Sequence, residues 1–173
     1  PVFSPKASSS MCITALWTLG SKDSPWAGIS STPSFSSTVL SWVMVICTPF
    51  DKPGHFYYNQ KINCMRAAGT VRIGGQTYTF DPADSFGVLD WGRGVWTYHN
   101  TWYWGSASGQ VDGVPFGWNI GYGFGDTSAA SENMLFYDGK AHKLGQVTFH
   151  IPMAGKREDY LAPWRFTSDD GRF

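Results

Sequence analysis

The chain has 173 residues and a mass of 19.1 kDa, which is the size of one ordinary domain. Its 13 basic and 13 acidic residues cancel, which fits neither a nucleic-acid-binding protein nor an acidic mimic of nucleic acid. Aromatic residues make up 17% of the chain and charged residues only 15%, beside 20 glycines. This composition is typical of β-structure with an aromatic interior, and it excludes a helical bundle or a disordered tail.

Residues 1–43 differ in composition from the remainder of the chain. They are rich in serine, threonine and proline, and their only charged residues are Lys6, Lys22 and Asp23. Small polar clusters without helical or strand periodicity are typical of loops and low-complexity sequence. We therefore interpret 1–43 as an atypical segment, either non-native or disordered, and 44–173 as a β-rich domain. Because the chain starts without an initiator methionine, we expect this domain to be a fragment of a longer protein.

The sequence contains no signal for targeting, membrane insertion or cofactor binding. The first residues lack the basic and apolar regions of a signal peptide. The longest apolar run, residues 39–50, is shorter than the roughly 20 residues that span a bilayer. The cysteines and histidines form no CxxC, HxH or HExxH spacing. We therefore expect a cytoplasmic protein without a membrane span, a bound metal or another cofactor.

From residue 44 onward, the chain reads as a series of hairpins. TVRI and QTYTF flank Gly74-Gly75, a two-residue loop suited to a type I′ turn, which places Val71 opposite Tyr78. Asp81-Pro82 predicts one short helical turn, because Asp can cap it and Pro fits its first position. Strands joined by tight turns predict an antiparallel all-β barrel or sandwich. Further turns are predicted at residues 112–113 and 138–139, and a further strand at 149–151.

The hairpin that turns at Asp112-Gly113 carries aromatic residues on both faces. Its register places tryptophans opposite glycines, an arrangement that protects glycine in a sheet, and the glycines let the sheet curve. A curved sheet with an aromatic, partly polar face favours a barrel that holds a small ligand. One face is expected to combine Trp102, Trp104, Ser106 and Asn119, with Gly123 and Gly121 across from the tryptophans, and the opposite face Tyr103, Trp118, Ile120 and Tyr122.

The segment DWGRGVW, residues 90–96, concentrates charge among indoles and glycines. We expect Asp90 and Arg93 to form a desolvated ion pair that either anchors a ligand or fixes an irregular turn. Glu132 follows a run of small residues and could donate a proton, cap a turn or pair with an arginine. Together, Asp90 and Glu132 would form a two-carboxylate centre suited to acid–base chemistry or glycoside hydrolysis.

Five motifs carry a family resemblance: HFYYNQKINCM, DWGRGVW, WYWGSASG, SENMLFYDG and PWRFTSDDG. With these motifs, residues 44–173 resemble the domain of unknown function 2804 family, whose members are longer than this chain. That family is in turn distantly similar to the AttH-like and hydroxyneurosporene synthase group, which has paired lipocalin-like β domains. The resemblance implies an antiparallel, lipocalin-like (calycin-like) barrel or curved sheet, here incomplete, with a hydrophobic small molecule as its ligand.

The leading functional hypothesis is that the domain binds a hydrophobic small molecule and, if it is an enzyme, transforms it by acid–base chemistry. Asp90 and Glu132 are the candidate catalytic residues. One alternative is a non-catalytic structural or interaction module whose aromatic residues form only a core, and another is a carbohydrate-active enzyme. The candidate ligand-binding residues are Arg93, Trp91, Trp96, Tyr98, His99, Trp102, Trp104, Asn119, Tyr58 and Asn133, in a cavity that Tyr57, Asn59 and Gln60 could also line.

Overall fold

The computed structural model describes residues 12–14, 30–31, 34–36 and 43–173, the first three ranges as backbone only. Most of the segment 1–43 therefore lies outside the described residues. Every regular element of the described chain is a β-strand, so the fold is all-β as predicted, and no helix there could cross a membrane. The strands are β1 Cys12–Thr14, β2 Ser30–Ser31, β3 Ser34–Ser36, β4 Met44–Pro49, β5 Phe56–Ile73, β6 Gln76–Phe80, β7 Phe86–Val95, β8 Tyr103–Val111, β9 Val114–Tyr122, β10 Met134–Tyr137, β11 Lys140–Lys143, β12 Val147–His150, β13 Met153–Ala154, β14 Arg157–Glu158 and β15 Arg165–Ser168.

Two large sheets make up most of the fold. The first is built on β5, which forms antiparallel ladders with β2, β3, β4, β6 and β7, while β1 adds to β7 in parallel. The second has the strand order β11-β10-β9-β8 and is antiparallel throughout. The pairs β12–β15 and β13–β14 form two small sheets. In the described part of the chain no sheet closes on itself, so the architecture is one of open sheets rather than a closed barrel.

The predicted hairpins form at the predicted turns. Asp112 and Asp138 have φ angles of 51° and 50°, and the glycine after each also has positive φ, as a type I′ turn requires. The cross-strand pairs are those expected, with Val71 opposite Tyr78 in the β5–β6 ladder. In the β8–β9 ladder, Trp104 lies opposite Gly121 and Ser106 opposite Asn119. The turn predicted at Asp81-Pro82 also forms, with the Asp81 carboxylate accepting from the Ala83 backbone N–H at 2.8 Å.

Strand β5 is long and bends at a β-bulge. The register against β7 shifts between Ile62 and Met65, and Cys64 within the bulge has a φ of 59°. A bulge of this kind increases local twist and redirects the strand. The part of β5 before the bulge pairs with β4 and β7, and its inward side chains lie against β8 and β9.

The two faces of β8 and β9 have opposite characters. One face carries Ile120 in the main apolar core, together with Leu144, Val147 and Phe149 from the chain that follows. Rings of Tyr103, Trp118 and Tyr122 pack on this core, as the register predicts. The other face approaches the first sheet, where an apolar cluster of Met44, Ile46 and Phe136 adjoins a layer of buried polar side chains. The polar side chains are those of Asn59, Lys61, Asn63 and Asn119. That polar layer between the two large sheets holds the candidate site.

Candidate functional site

Strand β5 sends a row of polar side chains into the space between the two large sheets. Asn59, Lys61 and Asn63 alternate along the strand, so they project from the same face. All three are buried, and Lys61 is only 5% exposed. An ammonium group taken out of water is strongly destabilising unless carboxylates and hydrogen bonds compensate it. The surroundings of Lys61 must therefore supply negative charge.

Two carboxylates supply that charge, and they are the two candidates singled out from the sequence. Lys61 Nζ lies 2.8 Å from Glu132 Oε2 and 3.8 Å from Asp90 Oδ2. The Trp104 ring lies under the ammonium, 4.3 Å from nitrogen to ring centroid, which adds a cation–π contact. The carboxylate side chains differ in access, since Glu132 is 14% and Asp90 26% exposed. We call Lys61, Asp90 and Glu132 the ion triad.

The Glu132 side of the ion triad is held by the β8–β9 hairpin. Asn119 Nδ2 donates to the side-chain and main-chain oxygens of Glu132, at 3.0 Å each. Its own Oδ1 accepts from the Trp104 indole N–H at 2.8 Å. A Cβ atom at Gly121 would lie 2.6 Å from Glu132 Oε1. The space above Gly121 is thus filled by a carboxylate, whereas the sequence suggested a tryptophan ring.

The Asp90 side of the ion triad is held by β5. Asn59 Nδ2 donates to Asp90 Oδ1 and to the Tyr57 hydroxyl oxygen, both at 2.7 Å. Burial, reinforced by the negative charge of Asp90, raises the pKa of Tyr57 to about 12, so this phenol keeps its proton at neutral pH. A Cβ at Gly92 would lie 2.4 Å from the Tyr57 ring, so that ring requires glycine in the adjacent strand.

Aromatic rings continue outward from Tyr57 to the surface. Trp96 and Phe124 pack edge-on against Tyr57, with centroids 5.5 and 4.7 Å away. Trp102 packs on Phe124 at 5.1 Å and leaves about half of its surface in solvent. Two predicted ligand-binding residues, Trp96 and Trp102, therefore belong to one aromatic cluster beside the Asp90 side of the ion triad.

An open groove of about 380 Å³ runs past the start of β8. Its lining is almost entirely aromatic. Trp104 lines the groove and its ring also contacts Lys61 of the ion triad, so a single indole connects the two. The lining residues are Thr101, Trp102, Tyr103, Trp104, Tyr160 and Trp164.

The expected Asp90–Arg93 ion pair is not formed, which corrects the sequence analysis. Residues 90–95 continue β7 rather than forming an irregular turn, so two side chains three positions apart project from opposite faces. Arg93 instead lies over the Tyr58 ring, 6.0 Å from its centroid, and Trp91 packs edge-on against the same ring. Arg93, Tyr58 and Trp91 thus form a separate cluster on the outer face of the first sheet, away from the ion triad.

Three other predicted ligand-binding residues do not line the groove, and of these Asn133 is next to Glu132 in the chain. Tyr98 is fully exposed and His99 is also exposed, with only each other as a recorded ring contact. Asn133 is buried, donates to Gly145 O and accepts from the Gly121 N–H, both at 2.8 Å. Its side chain therefore links β9 to the loop between β11 and β12 and is committed to backbone partners.

Sequence reasoning missed Lys61 and four of the residues that line the groove, namely Thr101, Tyr103, Tyr160 and Trp164. A signal for Lys61 was present, because Asn59, Lys61 and Asn63 alternate along the sequence and would share one face of a strand. A polar row of that kind marks a face that needs polar partners. Tyr160 and Trp164 carry no comparable signal, since they follow a loop and their approach to β8 depends on tertiary packing.

The polar layer also contains acceptors without donors. The side-chain oxygens of Asn59 and Asn63 are buried and have no hydrogen-bond partner among the described residues. In the same part of the chain, no group of three or more potential metal ligands comes together. The site is therefore organised around a lysine and two carboxylates.

Comparison with known proteins identifies a family for this chain. A family model described as a domain of unknown function (DUF2804) matches residues 32–173. The match thus begins before the change in composition near residue 43. No curated protein and no solved structure matches the chain.

Proposed function

We propose, from the premise that the chain belongs to the domain of unknown function 2804 family, that this domain binds a small, largely apolar molecule in the aromatic groove. The groove is the observation that carries the proposal. Its volume of about 380 Å³ falls at the lower end of the range for small-molecule sites, which are characteristically apolar with a few polar groups. Five of its six lining residues are aromatic.

The ion triad, which contacts the groove residue Trp104, supports a chemical role for the polar layer next to the groove. Glu132 is the closer partner of Lys61 and also accepts from Asn119, so its charge is largely committed. Asp90 is the more distant and more exposed partner. We propose that Asp90 accepts a proton and Glu132 holds Lys61, in acid–base chemistry at the solvent-exposed side of Asp90 and outside the lining of the groove.

A purely structural role is the competing interpretation of the ion triad. Buried ion pairs are weak stabilisers, because desolvation of both charges offsets their attraction. Apolar residues of similar volume in place of a buried ion pair often leave stability unchanged or raise it. That comparison favours a functional reason for keeping the layer polar.

Replacement of Trp102 by alanine tests ligand binding in the groove. Trp102 is 54% exposed and lines the groove, whereas Trp91 is 45% exposed and lies on the outer face of the first sheet. With a neutral apolar fluorophore such as N-phenyl-1-naphthylamine, we expect Trp102→Ala to weaken binding about tenfold or more, since aromatic contacts dominate such sites. Trp91→Ala, the matched control, should leave the affinity unchanged.

The titration follows probe fluorescence, and circular dichroism melts establish that both variants are folded. Equal losses in the two variants would mean that the probe binds exposed aromatic surface in general. No binding by the wild-type protein would remove the groove as a ligand site.

A further inference from the structure

The carboxylate of Glu158 is hydrogen-bonded to two side chains that line the groove. The Tyr103 hydroxyl donates to Glu158 Oε1 at 2.7 Å, and the Tyr160 hydroxyl donates to Oε2. These bonds lower the pKa of Glu158. The bond from Tyr103 is also the largest cause of the raised pKa of that tyrosine, which is about 12. At neutral pH an ionised carboxylate therefore contacts two protonated phenols that line the groove.

The charge of Glu158 has no cationic partner in the described part of the chain. The ion pairs there join Lys61 to Asp90 and Glu132, and Arg172 to Asp170. Glu158 thus differs from the carboxylates of the ion triad, whose charge is offset by an adjacent ammonium. Its field acts on the groove through the two tyrosines.

The aromatic faces in the groove favour the same sign of ligand charge. An aromatic face carries negative electrostatic potential and attracts ammonium groups. Tyr160 and Trp102 are both more than half exposed, so their rings are open to a ligand. A phenol that donates its proton to a carboxylate is polarised by that bond, which makes its ring more electron-rich.

We propose that the groove binds an organic cation, an amine or quaternary ammonium group on an apolar body. The proposal rests on the groove being a ligand site and adds the chemical class of the ligand. The cation would lie against the rings of Tyr160 and Trp102, close to the charge of Glu158, while the apolar body covers the remaining indoles.

Three probes that share one ring and differ in charge test this proposal. They are 2-phenylethylammonium, 2-phenylethanol and 3-phenylpropanoate, titrated into the wild-type protein with tryptophan fluorescence and calorimetry as readouts. We expect the cation to bind about tenfold more tightly than the alcohol, and the anion more weakly than both. Added salt should weaken binding of the cation and leave binding of the alcohol unchanged.

Glu158→Gln tests the source of the preference, since it keeps the shape and removes the charge. The preference for the cation over the alcohol should fall to within about threefold. Asp112→Asn is the matched control, because it removes one negative charge at the opposite end of β8 and should preserve the preference. The salt dependence of the wild-type protein gives an independent reading if Glu158→Gln does not fold.

The outcomes separate this proposal from the one on which it rests. If the alcohol binds as tightly as the cation, or if Glu158→Gln keeps the full preference, the groove is a ligand site without selectivity for cations. If none of the three probes binds at millimolar concentration, both proposals fail.

Discussion

The two carboxylates of the ion triad differ in ways that single residues can reveal. Glu132 lies 2.8 Å from Lys61 Nζ and is well enclosed, whereas Asp90 lies 3.8 Å away and has a quarter of its side chain in solvent. Asp90 also acts on Tyr57 through Asn59, which donates to both side chains. The charge of Asp90 can therefore be measured through its effect on a neighbouring phenol.

Asp90→Asn should lower the titration midpoint of Tyr57. Burial and the negative charge of Asp90 both raise the pKa of Tyr57, to about 12. Removal of that negative charge makes the phenolate easier to form, so the midpoint should move down from about 12 toward 10. Carbon NMR of the tyrosine ring carbons, with Tyr57 assigned by Tyr57→Phe, measures the midpoint directly.

An unchanged midpoint in Asp90→Asn would mean that Asp90 does not face Tyr57 in solution.

The Asp90→Asn variant also tests acid–base chemistry. If Asp90 accepts a proton during turnover, the Asp90→Asn protein purified from cell extract should retain an unconverted compound. Native mass spectrometry should then give this compound a mass different from that of the compound bound to the wild-type protein. Identical bound compounds in the two proteins would leave Asp90 without a catalytic role.

At the level of elements, the hairpins were predictable because turn chemistry acts locally. Asp-Gly and Gly-Gly pairs determine the turn, the turn determines the register, and the register determines which residues share a face. The pairing of Ser106 with Asn119 follows from this chain of reasoning alone. The register cannot say which element covers that face, and so the contents of the space above Gly121 were not predictable.

Gly121→Ala should destabilise the protein by about 1–3 kcal/mol, which is typical of overpacking at a buried site. The new methyl carbon would lie 2.6 Å from Glu132 Oε1 and 2.9 Å from the main-chain oxygen of Tyr103. Neither group can withdraw easily, since one is hydrogen-bonded within the ion triad and the other belongs to a strand. Urea denaturation measures the loss.

Gly105→Ala is the control within the same hairpin. A Cβ there would approach the edge of the Trp118 ring at 3.0 Å, and its three nearest neighbours, out to 3.7 Å, are all side-chain atoms. Because a ring edge can shift by a few tenths of an ångström, the loss should be smaller than at Gly121. Equal losses would show that the Glu132 carboxylate does not occupy the space above Gly121.

At the scale of the whole molecule, the two large sheets meet through an apolar cluster of Met44, Ile46 and Phe136 and through polar contacts. The polar contacts were the least predictable. Lys61 in β5 pairs across the ladder with Asp90 in β7, and it also reaches Glu132 just before β10. Asn63 donates from β5 to Ser106 in β8 at 2.7 Å. These contacts join residues 29 to 71 positions apart, and no local rule sets such distances.

The error over Arg93 has the same origin at a smaller scale. Glycines around Asp90 suggested an irregular turn, in which Asp90 and Arg93 could meet. Once β5 pairs with this segment as a strand, the alternation of side chains separates the two residues. Tertiary pairing thus overrode the local preference of a glycine-rich segment.

Lys61→Met should therefore lower the stability of the whole molecule rather than affect one strand. It leaves two carboxylates in the polar layer without their cation, and the expected loss is about 3–5 kcal/mol of unfolding free energy at neutral pH. Lys140→Met, on the exposed β11 hairpin, should cost far less. Denaturation followed separately by fluorescence and by circular dichroism measures the loss and shows whether the two sheets still unfold together.

Combining Lys61→Met with Glu132→Gln distinguishes the ion triad from simple loss of packing. Lys61→Met leaves two carboxylates without a cation, and Glu132→Gln removes one of those two charges. The double variant should therefore lose less unfolding free energy than the sum of the single variants, by at least about 1 kcal/mol. Strict additivity would mean that Lys61 and Glu132 do not interact. Because Lys61 lies on one sheet and Asn119, which holds Glu132, lies on the other, a measured coupling would demonstrate directly that charge joins the two sheets.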